Sequence, residues 1–79
     1  MADRTTAQGT MSREELASYF VSLAEEFGRE EGDISVRVGN KSVTLQPPTK
    51  VEYDIAVVER SSVIRGNRET VTIEVNWKP

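Results

Sequence analysis

The chain has 79 residues, a formal charge of −3, and neither cysteine nor histidine. That length holds one domain at most, near the size at which a single core is only just sufficient. The composition excludes a disulfide framework, a conventional zinc site and the commonest nucleophile and base side chains.

Residues 1–10, MADRTTAQGT, are small and polar without apolar periodicity, and are expected to form a disordered arm before a single domain over 11–79. Neither a signal-peptide pattern nor an apolar run long enough for a bilayer is present, so a soluble, cytoplasmic protein with no membrane contact is expected. From Met11, Ser12 followed by Glu15 forms a capping box, and Leu16, Phe20, Leu23 and Phe27 recur at the spacing of one helix face. The spacing predicts a helix over Ser12–Phe27, with Gly28 taking a left-handed C-terminal position. Arg29 stands four residues after Glu25, where it offsets acids at the helix end.

After GREEGD the period falls to two. Ile34, Val36 and Val38 alternate with polar residues, Gly39-Asn40 intervenes, and Val43 and Leu45 continue the alternation. A two-residue turn pairs Val38 with Lys41, Val36 with Val43 and Ile34 with Leu45, which places every apolar partner on one face. Pro47-Pro48 cannot donate to a ladder and ends the second strand.

VEYDIAVVER and ETVTIEVNW then form a second, longer hairpin. Tyr53, Ile55 and Val57 share one face, as do Val71, Ile73, Val75 and Trp77. Two registers satisfy that phase. Pairing Val57 with Val71 opposes Asp54 and Glu74, whereas a shift by two pairs Tyr53 with Trp77 and Glu52 with Lys78. The second removes a like-charge pair and stacks two aromatics, so it is the favoured one. Together the elements predict an α+β fold: one N-terminal helix packed on a four-stranded antiparallel meander, with Trp77 closing one end of the helix-covered face.

From Met11 onward the chain resembles the amphi-Trp domain, a small module named for its amphipathic strands and nearly terminal tryptophan. The resemblance rests on Ser12-Arg13-Glu14-Glu15 at the helix start, VTLQPP (Val43 to Pro48), VEYDIAVVER (Val51 to Arg60) and the closing IEVNW. It implies the same α+β architecture and supplies no catalytic residue. Family members are typically more acidic than this chain.

Charge is unevenly placed. Residues 11–33 hold seven acids against Arg13 and Arg29, net −5, while residues 34–79 hold five acids against seven bases, net +2. The acids Glu25, Glu26, Glu30 and Glu31 lack the spaced ligands and glycine of a calcium loop and read as a solvated helix end. Arg60, Arg65 and Arg68 gather around Gly66-Asn67, which is either a plain turn or an anion-binding one. Nucleic acid is disfavoured as a partner, because the polar sheet face carries no aromatic to stack a base and no dense basic stripe.

Val63-Ile64 stand inside an otherwise polar connection. They either fold back over the sheet end or form an apolar contact point ringed by arginines. The expected function is a non-enzymatic protein-interaction module without cofactor or metal, self-associating or binding another protein. Its candidate contacts are Arg60, Val63, Ile64, Arg65, Arg68 and Trp77. The alternative is weak nucleic-acid or anion binding through the three arginines.

Overall fold

The computed structural model describes residues 3–29 and 31–79. Met1, Ala2 and Glu30 lie outside the described residues, and with them the first two positions of the expected arm and one member of the acidic group. The element order is α1 (Arg13–Phe27), β1 (Ile34–Val38), β2 (Lys41–Leu45), β3 (Glu52–Arg60) and β4 (Arg68–Asn76). The strands form two separate antiparallel sheets, β1-β2 and β3-β4.

Helix α1 starts where the capping chemistry places it. Ser12 is the N-cap, its hydroxyl accepting the Glu15 N–H at 3.1 Å, and the Glu15 carboxylate accepts the Ser12 N–H at 3.4 Å. Two of the four orphan N–H groups of the helix surroundings are thereby satisfied without tertiary help. At the other end the expected left-handed glycine is absent. Gly28 keeps a right-handed φ of −73°, and its N–H donates to the Ala24 carbonyl at 2.8 Å. Glycine matters there for a different reason: a Cβ would lie 3.1 Å from the Ala24 carbonyl oxygen. The acid beside Arg29 is also not Glu25 but Glu26, at 3.1 Å.

The first hairpin has the register that alternation requires, Ile34 opposite Leu45, Val36 opposite Val43 and Val38 opposite Lys41. Gly39 has φ +63° while Asn40 does not take positive φ, the pattern of a type II′ turn, which matches the twist of the flanking strands. Two hydrogen bonds tie α1 to β1: the Tyr19 hydroxyl donates to the Arg37 carbonyl at 2.7 Å, and the Ser35 N–H donates to the Glu26 carboxylate at 2.7 Å. Glu26 also holds Arg29, so one side chain links the helix end to the outer edge of β1. Ile34, only 3% exposed, is the buried hydrophobic residue of the described chain.

The single meander is not formed, because β2 and β3 do not pair. The physical reason lies in the connector. Gln46 and Pro47 each precede a proline, which disfavours the turn conformations of a tight reversal, and a proline offers no N–H for a ladder, so the connector does not seed pairing between β2 and β3.

The favoured register of the second hairpin is also overturned. The pairs are Tyr53 with Val75, Ile55 with Ile73 and Val57 with Val71, which sets Asp54 opposite Glu74. A shift by two leaves every residue on its face, so hydrophobic phase cannot choose between the registers. The tip connection from Ser61 to Asn67 decides: Ser62 accepts the Gly66 N–H through its carbonyl at 3.0 Å and the Arg65 N–H through its hydroxyl at 3.1 Å. Both β3 and β4 are exposed along their whole length, so water weakens the Asp54–Glu74 repulsion.

Candidate functional site

The face of β3-β4 expected beneath the helix is uncovered. Tyr53, Ile55, Val57, Val71, Ile73 and Val75 are between 40% and 70% exposed. They form three directly opposed apolar pairs on a single face, since their positions all share one strand phase. The opposite face carries Glu52, Asp54, Ala56, Thr72, Glu74 and Asn76, as the alternation requires. Hairpin β3-β4 is therefore amphipathic, with its apolar side turned to solvent. Scattered exposed apolar residues are ordinary, whereas a contiguous patch of this kind marks an interaction surface.

Trp77 continues the phase of Val71, Ile73 and Val75 but does not share their exposure. It is half-buried, with its ring edge-on to Phe27 at 5.8 Å between centroids and 82° between planes. This is the T-shaped arrangement that aromatic quadrupoles favour. Phe27 also borders a depression of about 560 Å³ together with Ile34, Pro47, Pro48 and Val51. The junction between the two halves of the chain is thus an aromatic pair set beside a proline connector. The expectation that Trp77 covers the end of the helix-packed face holds for its own side chain and fails for the strand behind it.

Helix α1 has an uncovered stretch of its own. Leu23 and Phe27 are half-buried, but Leu16 and Phe20, on the same stripe, are 41% and 45% exposed. Only the C-terminal half of the predicted apolar face meets the first hairpin.

At the hairpin tip, Val63 and Ile64 are fully exposed and do not fold back over the sheet. Gly66, with φ +80°, turns the chain there, and residues without glycine's freedom would be strained at that angle. Arg60 and Arg68 stand directly opposite each other, with Glu59 opposite Glu69 one step inward. Arg60 and Arg68 thus close the strand ends, and Val63, Ile64 and Arg65 lie in the connection beyond them. Among the described residues, no three acidic side chains converge as a metal site would require. Likewise, no described helix is long and apolar enough to cross a membrane.

The six-residue apolar face was the feature that sequence reasoning placed in the wrong environment. Its alternation is plain in the chain, but alternation identifies a face and does not say what covers it.

One capped helix, two antiparallel hairpins and a tryptophan two residues from the chain end define a small α+β protein whose polar and apolar surfaces are segregated. A match to the amphi-Trp domain extends over residues 3–79, and the chain belongs to that family. No curated protein and no solved structure matches it.

Proposed function

We propose that this chain is a non-enzymatic interaction module that binds a protein through the apolar face of β3-β4, with a cytoplasmic location as part of that reading. The observation carrying it is the set of three opposed apolar pairs, Tyr53–Val75, Ile55–Ile73 and Val57–Val71, left open to solvent. Removing such a surface from water is favourable by about 25 cal/mol for each Å² of apolar area. The polar reverse face keeps the hairpin from burying both sides in a larger core. Absence of cysteine and histidine from the chain removes the side chains that most often act as nucleophile or base near neutral pH.

The experiment compares retention of bound proteins by the native chain, by Val57→Asp/Ile73→Asp and by Arg65→Ala/Arg68→Ala. The reading expects loss with the first pair of changes and retention with the second. Equal retention by all three would place binding elsewhere.

A second reading, anion or nucleic-acid binding, is supported by the opposed Arg60 and Arg68 beside Arg65. Like charges directly opposite each other are mutually unfavourable, and a bound phosphate would relieve them. Glu59 and Glu69 adjoin the cluster and weaken its field. Binding of this kind falls steeply with salt, whereas apolar association does not. Titration of a mixed single-stranded oligonucleotide at low and physiological salt therefore separates the two readings.

A further inference from the structure

The extent of uncovered surface identifies an occupant for the β3-β4 face. A compact 8.8 kDa monomer exposes about 4,800 Å² by size scaling, whereas this chain exposes 7886 Å². Granting the first twelve residues the accessibility of an unfolded chain still leaves roughly 1,800 Å² in excess by the same scaling. An obligate dimer buries about 1,000 to 2,500 Å² on each partner, so one interface of that kind accounts for the excess. The radius of gyration tells the same story: 15.5 Å against about 12 Å for a compact domain of this length.

The chain also carries a surface complementary to the open sheet. The N-terminal half of α1 presents Leu16 and Phe20, half-exposed, beside Glu14 and Glu15. The open hairpin presents three apolar pairs on one face, which ends at the Glu59–Glu69 pair, with Arg60 and Arg68 on the reverse. Apolar helix stripe and apolar sheet face are complementary in hydrophobicity, and helix on sheet is the layered packing that buries both. Within one chain these two surfaces do not meet, since α1 packs on β1 and reaches the end of the second hairpin through Phe27 and Trp77.

We propose that the occupant is a second copy of this chain, in a two-fold dimer in which the Leu16–Phe20 stretch of each helix covers the β3-β4 face of the other. The arrangement is closed, because the two copies exchange helices reciprocally, so each patch is covered once and none remains for a third copy. The proposal rests on the apolar face being an interaction surface, and specifies its partner.

Light scattering on the full chain over a wide concentration range tests the assembly. The expected mass is twice 8.8 kDa at high concentration, returning toward one chain mass on dilution. Val57→Asp/Ile73→Asp is expected to shift the protein to monomer with an unchanged far-UV spectrum, while Thr72→Lys on the opposite face leaves the dimer intact. Should the double variant not fold, Phe20→Glu on the helix side makes the same prediction. Because the chain has no cysteine, mixing Phe20→Cys with Ile73→Cys under oxidation reads the pairing. Heterodisulfides should dominate, and dominance of Ile73→Cys homodisulfides would overturn the helix-on-hairpin arrangement. A monomer at every concentration that binds a hydrophobic dye overturns the dimer and leaves the interaction-module reading standing. A monomer that binds no dye and protects its β3-β4 amides from exchange overturns both.

Discussion

Hairpins β1-β2 and β3-β4 have the same alternation of apolar and polar residues, and only the first is partnered. In β1-β2, Ile34 is 3% exposed and Val36, Val38, Val43 and Leu45 are half-covered. In β3-β4, with longer strands and more apolar pairs, every residue is exposed. The difference lies in attachment, not in pattern. Strand β1 is joined to α1 by the Tyr19–Arg37 and Glu26–Ser35 hydrogen bonds, whereas β3-β4 meets the helix through Phe27 and Trp77. Apolar phase makes a face ready for burial, and a tether decides whether anything within the chain reaches it.

The strongest way to break this contrast is to remove a methyl-rich side chain from each hairpin at concentrations where the chain is monomeric. Ile34→Ala is expected to destabilise the fold by about 2 to 4 kcal/mol, through lost transfer free energy and a residual cavity. Ile73→Ala, at an exposed position, is expected to cost under about 1 kcal/mol. Urea titration followed by circular dichroism checks both, and equal costs would erase the distinction between the halves.

Trp77→Ala acts at the junction and sharpens the contrast next. A fully buried tryptophan would cost about 3 to 5 kcal/mol, but a half-buried ring with one edge-on aromatic partner is expected to cost about 1 to 2 kcal/mol. Its fluorescence should be blue-shifted yet partly quenchable, and an emission like that of free indole in water would contradict the Phe27 contact.

Ser12→Ala tests the well-anchored half from its start. Loss of the capping box is expected to cost about 1 kcal/mol, read as a lower melting temperature with reduced protection in the first turn of α1. Smallest of all, Val63→Ser/Ile64→Ser is expected to change stability by no more than about 0.5 kcal/mol, because neither side chain loses contacts. A larger fall in the melting temperature would mean that the tip is covered in solution.

Local chemistry made much of this structure readable from the chain. Ser12 and Glu15 are close in sequence and complete their bonds within one turn, so the helix start required no distant partner. The Gly39-Asn40 turn and the parity of Ile34, Val36, Val43 and Leu45 likewise determine the first register, since a one-residue slip would reverse every side chain. Gly28 was misread because its C-terminal position suggested a positive φ, whereas the structural demand is its close approach to the Ala24 carbonyl. The second register escaped because slips of two preserve parity, which left small cross-strand preferences to be outweighed by the hydrogen-bonded tip.

By itself, then, the sequence determined the elements, the N-cap of the helix, the faces of the strands and the segregation of charge, because each depends on residues within a few positions of one another. Tertiary structure alone decided that the strands form two sheets instead of one, that the apolar face of β3-β4 is open, and that Trp77 is half-buried while Val71, Ile73 and Val75 are exposed. Those outcomes depend on where the extended proline connector carries the chain and on which surfaces then come within van der Waals reach. Hydrophobic burial is non-directional and acts only at contact, so an alternating pattern cannot name its partner.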